Sequence, residues 1–580
     1  MRDYVMLKIA ERRQVVTEAN PYEVLPVETQ SIRMRDGIRL DADIYRPAST
    51  GSYPVLLQRQ AYGRRIACTI CYAHPAWYAA QGYIVIVQDI RGRGTSEGEF
   101  AVGENEAVDG AETIEWASQL AGSTGDVGMY GFSYQGYNQM LAATAAGPAL
   151  KALAPAMAPW HAYENWAFEN GALRLQGALG WAIQIAAETA RHKGDQSAYA
   201  ELLTLSRGMN FNSVVEARPA IMEKYRAYSH YLRWLDTPPD APYWKDVSPA
   251  CHAGTIAARG LPMLFMGGWY DTHLASTLRA YSELKALGNT DLYLMVGPWS
   301  HFPWTRKVGQ VDFGSEAAPD LDQLHIQFFD RYLKGRTGSL AGIPDVRLFD
   351  MGKKEWSGFP VMPRQKVTFY LAGDGRVTND TRAGRLLDSL EDVTANTEFM
   401  VHDPWRPAPS IGGAFGSPPG PVDRSVVDFR GDVATYTTPP FEDEFTLAGA
   451  VRAVLNIKSD TPSFDVNCVL SRVATTGQVI PLCEGHAGFR SSEERAPVVI
   501  SMRATCATIR PGEALRLSIA GASFPAFPVN PGNGNDPTRA TRAEALITTL
   551  AINCGGSSPS LLEVTVSETT CDDPKLGEEA

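Results

Sequence analysis

Asp126-Val127-Gly128-Met129-Tyr130-Gly131-Phe132-Ser133-Tyr134-Gln135-Gly136 is the stretch on which the reading of this chain turns. Residues 127–130 form a short apolar run suited to a buried strand, and the Ala-rich segment 137–146 favours helix. A serine caught between strand and helix must sit in a sharp turn, which needs neighbours without bulk, and Gly131 and Gly136 supply them. The turn would lift the Ser133 hydroxyl clear of the sheet, with the free N–H groups and positive dipole end of the following helix aimed at the same spot. The pattern departs from strict G-x-S-x-G, because Gln135 stands where the second glycine is expected. A Gly-Ser turn with no chemistry explains these six residues equally well.

Upstream, residues 28–46 alternate around the turn dipeptide Asp36-Gly37 and predict a hairpin. Residues 54–57 then predict a buried strand, with Tyr62 in the loop after it. A helix is expected over 75–81, a β-branched strand over 83–88 and a helix over 104–120. Strand, loop and helix in repetition mean an α/β fold with a parallel sheet. Gly92, Gly94 and Gly98 have the wrong spacing for a dinucleotide fingerprint, and Glu97 and Glu99 fall where a phosphate cradle should open a helix, so no cofactor is expected.

Downstream, residues 160–248 read as helical, lack a convincing strand and are rich in aromatics. An insertion of this kind between sheet strands commonly lies over the strand ends as a lid. His161, Trp166 and Phe168 are the expected pocket residues, together with Trp269 of GGWYD; for most of the aromatics a place in the core of a small helical layer explains as much. The sheet resumes with a strand over 262–266 that runs into Gly267-Gly268 and Asp271. After a helix over 274–287, the strand in DLYLMVGPWSH leads to His301. Both polar residues fall just past the carboxyl end of a strand, where the sites of open α/β sheets gather. Beyond 344, short alternating runs with Gly, Pro and Asp turns predict an all-β sandwich of jelly-roll type.

The length of 580 residues calls for more than one core, and 44% hydrophobic with 20% charged residues is ordinary for a folded chain. A net charge of −12 argues against nucleic acid or an anionic membrane as partner. No apolar run is long enough to span a bilayer, and residues 1–16 lack a signal-peptide core, so a cytoplasmic address is expected. Eight cysteines are too sparse for a disulfide scaffold. Cys68, Cys71 and His74 have metal-like spacing but no evident fourth ligand, and they are read as ordinary residues with no metal.

Serine needs a base to remove its proton, histidine matches neutral pH, and a carboxylate fixes the imidazole tautomer. Ser133, Asp271 and His301 follow the chain order of α/β hydrolases. His273 rivals His301 as the base, and Asp271 could equally be a helix cap. The Tyr134 amide is the expected first oxyanion donor, while composition alone names no second.

The segments RQAYG, DIRGRGTSEG, GFSYQG, GGWYD and GPWSH, continued by MGKKEW, VHDPWRPAPSIGG and FPAFPVNPGNG, resemble the bacterial cocaine esterase and X-prolyl dipeptidyl-peptidase family of serine hydrolases. That resemblance implies an α/β hydrolase core with an inserted helical cap plus a C-terminal all-β jelly-roll domain, divided as 1–158 and 251–350 for the core, 159–250 for the cap and 351–580 for the jelly roll. It also implies a Ser133, Asp271, His301 triad and a second oxyanion donor in the Tyr62 hydroxyl. The early loop reads RQAYGRR, without the acidic residue that follows the tyrosine in many relatives. The expected activity is cleavage of a small apolar or aromatic ester. Amide cleavage by an X-prolyl dipeptidyl-peptidase or a β-lactam acylase, in which Glu164 or Glu169 could hold an amine, is the nearest alternative; acyl transfer and a carbohydrate-binding role are further ones. The oligomeric state, including a homo-oligomer, is left open.

Overall fold

The computed structural model describes residues 21–65, 69–208, 216–490 and 497–567. Cys68 lies outside them, and the His74 imidazole caps the helix Pro75–Ala80 by accepting from the Ala76 amide at 3.2 Å.

Ten strands make one sheet: β1 (Glu28–Arg33), β2 (Arg39–Tyr45), β3 (Tyr53–Gln60), β4 (Ile84–Asp89), β5 (Ser123–Phe132), β6 (Leu150–Ala156), β7 (Met263–Tyr270), β8 (Leu292–Ser300), β9 (Val346–Asp350) and β10 (Glu355–Phe359). Their spatial order is β1-β2-β4-β3-β5-β6-β7-β8-β9-β10. From β4 to β9 neighbouring strands are parallel, while β1, β2 and β10 pair antiparallel at the two edges. The central strands are near-continuous apolar runs because helices cover both faces, and every residue of β4 and of β7 is buried. This is the α/β hydrolase core.

Two expectations need adjustment. The first sheet runs past the division at 350/351, because Met351 to Lys354 form a tight turn, with Lys354 at φ 64°, that folds β10 back onto β9. The cap is also not wholly helical. Phe168–Glu169 pairs with Ala172–Leu173 in a two-stranded hairpin closed by Asn170-Gly171, at φ 43° and 81°, a hairpin dipeptide that lay hidden among aromatic residues. Among the described residues the other regular elements of the cap are helices, with Leu175–His192 the longest and Gln196–Gly208 following.

The C-terminal domain is all β: nine strands in one sheet, with Val479–Phe489 and Val498–Ile509 at its ends, and a three-stranded sheet beside it. It is joined closely to the core. Met351 N donates to Cys506 O at 3.0 Å, and the Asp350 carboxylate accepts from Thr508 N at 2.9 Å.

Candidate active site

β5 ends at Phe132, and the helix Tyr134–Ala145 begins two residues later. Ser133 therefore takes the whole change of direction and sits at φ 59°, ψ −119°, a region an L-residue occupies only under local strain. The glycines make the turn physically possible. A Cβ on Gly131 would lie 2.4 Å from the Gln135 Cβ, and one on Gly136 would lie 2.8 Å from the Ala158 Cβ and 3.0 Å from Ala156 O. Gln135 fits at the unexpected position because Gly131 makes room for it. Its amide closes the turn, donating to Gln60 Oε1 at 2.7 Å and accepting from Phe132 N at 3.3 Å.

β7 and β8 deliver the other two groups to the same rim. Ser133 Oγ lies 3.0 Å from His301 Nε2, and His301 Nδ1 lies 2.7 Å from Asp271 Oδ1. Asp271 is fully buried and its Oδ2 has no partner, whereas the His301 side chain is 30% exposed. Such a chain can pass the serine proton to imidazole while the carboxylate holds the ring and steadies its positive charge. β7 continues through both glycines instead of ending before them; a Cβ on Gly268 would meet Trp299 O at 2.3 Å, so glycine lets β7 and β8 approach closely. His273 is placed otherwise. Its ring stands 5.2 Å from that of His301, and burial, then the repulsion of His301 and nearby arginines, holds it neutral, well below the ordinary histidine range.

The Tyr134 amide is the first of its helix, ahead of any intrahelical partner, and Ser133 O already receives Gly136 N and Tyr137 N. The Tyr134 side chain faces inward, donating to Glu106 Oε1 at 3.0 Å and so pinning the start of the helix. Tyr62 approaches from the early loop, and its hydroxyl accepts from Trp181 Nε1 at 3.1 Å. With that lone pair engaged, the phenolic proton is free to point elsewhere. Burial pushes this hydroxyl up to about 12, so it remains a donor at neutral pH. Gly63 follows the tyrosine, and Arg64 after it braces the loop by pairing with Asp43 at 2.9 Å and with Asp89. Asp89 also accepts from Arg64 N and Thr95 N, tying the Tyr62 loop to the glycine loop. That glycine loop is folded on itself, since a Cβ on Gly92 would lie 2.3 Å from Phe100 N.

The four expected pocket residues divide. Trp166 stands against the nucleophile helix, its ring 5.0 Å from Tyr137 and 6.4 Å from Tyr134, and 5.2 Å from Trp181. Phe168 stacks on Tyr163 at 4.5 Å inside the cap. His161 accepts from Glu164 N and lies within electrostatic reach of Arg279 and Glu283 on the outer helix Leu274–Ala286. Trp269 turns away: it is buried, and its indole donates to Phe349 O of β9 at 2.8 Å. Trp181, which holds Tyr62, was not singled out. Its signal was a lone tryptophan on an otherwise Ala-rich cap helix.

Comparison with known proteins bears on the family and the fold. Residues 36–303 match the family model described as X-Pro dipeptidyl-peptidase (S15 family), and residues 340–563 match the X-Pro dipeptidyl-peptidase C-terminal non-catalytic domain. Cocaine esterase from Rhodococcus sp. (strain MB1 Bresler) is 32% identical over 559 residues, 91% of this chain and 96% of that protein. Among solved structures, an aminopeptidase from the marine sediment archaeon Thaumarchaeota archaeon superposes with a TM-score of 0.77 at 19% identity, covering 93% of this chain and 96% of that one. An α-amino acid ester hydrolase does so with 0.73 at 20% identity, covering 95% and 98%. Core, cap and β domain thus have relatives as one assembly, and the chain belongs to the cocaine esterase and X-Pro dipeptidyl-peptidase family of serine hydrolases.

Proposed function

We propose that this chain hydrolyses carboxylic esters of small, largely apolar or aromatic groups through an acyl-enzyme on Ser133. The observation that carries the reading is the unbroken relay from Ser133 Oγ through His301 to the buried Asp271. Ser133 attacks the ester carbonyl as His301 Nε2 takes its proton, and the Tyr134 amide and Tyr62 hydroxyl receive the oxyanion. His301 then protonates the departing alkoxide. Water activated by the same imidazole next attacks the acyl-enzyme, and collapse of the second tetrahedral intermediate frees the acid and restores Ser133. Trp166 and Trp181 supply an aromatic wall beside the helix that follows Ser133.

The relation to cocaine esterase supports ester over amide cleavage. So does the state of the cap carboxylates. Glu169 is buried and paired with Arg503 at 3.2 Å, and burial raises Glu164 above the usual carboxylate range. Glu169 is thus already committed to Arg503, and Glu164 accepts from Asn170 N at 2.8 Å. The test is stoichiometric labelling of Ser133 by a fluorophosphonate, lost in Ser133→Ala, together with turnover of aryl esters in excess of Gly-Pro and Ala-Pro anilides. Faster turnover of the anilides would replace this reading with the peptidase one.

A further inference from the structure

Arg93, between Gly92 and Gly94, is a buried charge that the reaction above does not use. It is 2% exposed, and among the described residues no carboxylate stands within ion-pair distance of it. Its nearest acidic neighbour in electrostatic terms, Glu188, bonds to Arg191 at 2.9 Å. Nη1 donates to Gly92 O at 3.2 Å and to Thr189 Oγ1 at 3.1 Å, while Nε and Nη2 have no partner. Those two nitrogens form one edge of the guanidinium, with parallel N–H bonds spaced to grip both oxygens of a carboxylate. The arginine is held by one end and a face, lying 3.8 Å over the Phe100 ring, while its fork makes no hydrogen bond. Burial accordingly pulls it down to about 10. A buried cation without an anion is expensive unless a ligand supplies one.

Its neighbours are those of the serine. The Phe100 ring is 5.7 Å from that of Tyr134, the residue after the nucleophile, and Tyr134 is 6.3 Å from Trp181. The cap helix Leu175–His192 contacts Tyr62 through Trp181 and Arg93 through Thr189, two turns apart or about 12 Å along its axis. The His230 ring lies 4.7 Å from that of Trp181, tilted against it, and both its ring nitrogens are buried without partners. A neutral imidazole there offers one further N–H donor.

We propose that Arg93 anchors a free carboxylate on the substrate, so that the preferred esters are those carrying a second, ionised carboxyl group, such as monoesters of dicarboxylic acids. This rests on the Ser133 esterase reading and narrows its substrate class. The Nε/Nη2 edge would take the carboxylate side-on while the ester carbonyl sits at Ser133, with the Phe100 and Trp181 rings walling the carbon chain between them.

The test compares kcat/KM for 4-nitrophenyl monoesters of dicarboxylic acids of four to ten carbons with 4-nitrophenyl esters of the matching monocarboxylic acids, subtracting the rate with Ser133→Ala. A parallel arm places the carboxylate on the leaving group, using 4-carboxyphenyl against 4-carbamoylphenyl hexanoate. In at least one arm the wild type should favour the anionic ester, and Arg93→Met should cut that preference by about tenfold to a hundredfold, the range of charge-assisted hydrogen bonds. Arg93→Lys, which keeps the charge without the fork, should restore part of it, and it carries the comparison if Arg93→Met does not fold. Turnover of neutral esters with no preference for the anionic ones in either arm, or equal loss on both classes in both variants, would overturn this proposal alone. Failure to turn over any ester would overturn the esterase reading and this proposal with it.

Discussion

Among the described residues, two aspartate–histidine pairs are built from the same parts, Asp271–His301 at the rim of the α/β sheet and Asp465–His486 in the β domain. In the second, His486 Nε2 lies 3.2 Å from Asp465 Oδ2, the imidazole stacks on Phe527 at 3.9 Å, and Asn530 donates to the other carboxylate oxygen at 2.8 Å. His486 is 1% exposed and its far nitrogen meets no hydroxyl, while His301 is 30% exposed and its far nitrogen meets Ser133. A carboxylate behind an imidazole is therefore not itself a site. What the opposite nitrogen faces separates a proton relay from a structural brace.

The largest effect that could break this comparison is on turnover. His301→Ala should lower kcat on an aryl ester by about ten thousandfold and leave the melting temperature close to wild type. His486→Ala should do the reverse, lowering the melting temperature by several degrees while kcat per fluorophosphonate-labelled site stays within about twofold. A comparable kcat loss from both would erase the distinction. Next in size, Asp271→Asn should cost about a thousandfold or more in kcat by favouring the wrong imidazole tautomer, whereas Asp465→Asn should register in thermal stability alone.

A smaller effect sharpens the account of the rim. Tyr62→Phe removes an oxyanion donor and should lower kcat about a hundredfold with KM little changed. Trp181→Phe leaves the hydroxyl but not its orienting indole, and about a tenfold loss is expected.

The smallest concerns a third histidine. His325 is fully buried among Tyr72, Tyr78 and Tyr130, and burial holds it down to about 3. Between pH 6.5 and 3 the unfolded chain takes up a proton there that the folded chain refuses, so this histidine's contribution to stability is complete above pH 6.5 and fades as the pH falls through that window. In a series of melting temperatures against pH, His325→Phe should flatten the acid limb. An unchanged slope would show that this imidazole charges inside the fold.

Much of this was legible in the sequence because it is local. The turn at Ser133 is written in Gly131 and Gly136, and the ends of β7 and β8 are marked by Asp271 and His301 standing just after apolar runs. Less legible were features that depend on which way a side chain turns. Trp269 could be placed just past its strand but not on a face. Trp181 counted as one cap aromatic among several until a helix carried it over Tyr62, and Arg93 read as one more residue of a glycine loop because nothing nearby in the sequence reveals the missing counter-charge. The hairpin at Asn170-Gly171 was hidden for another reason: a two-residue strand is too short to show alternation.

Both residues flanking Asp271 are tied to the far end of the chain. The Tyr270 hydroxyl donates to Pro481 O at 2.9 Å, and Thr272 O accepts from Arg174 at 2.7 Å and from Arg503 at 3.5 Å. During synthesis Pro481 and Arg503 leave the ribosome more than two hundred residues after the aspartate they steady. A nascent polypeptide can thus have its serine and histidine in hand and still lack a settled third partner, so esterase competence should arise late, as the last strands of translation close over the loop.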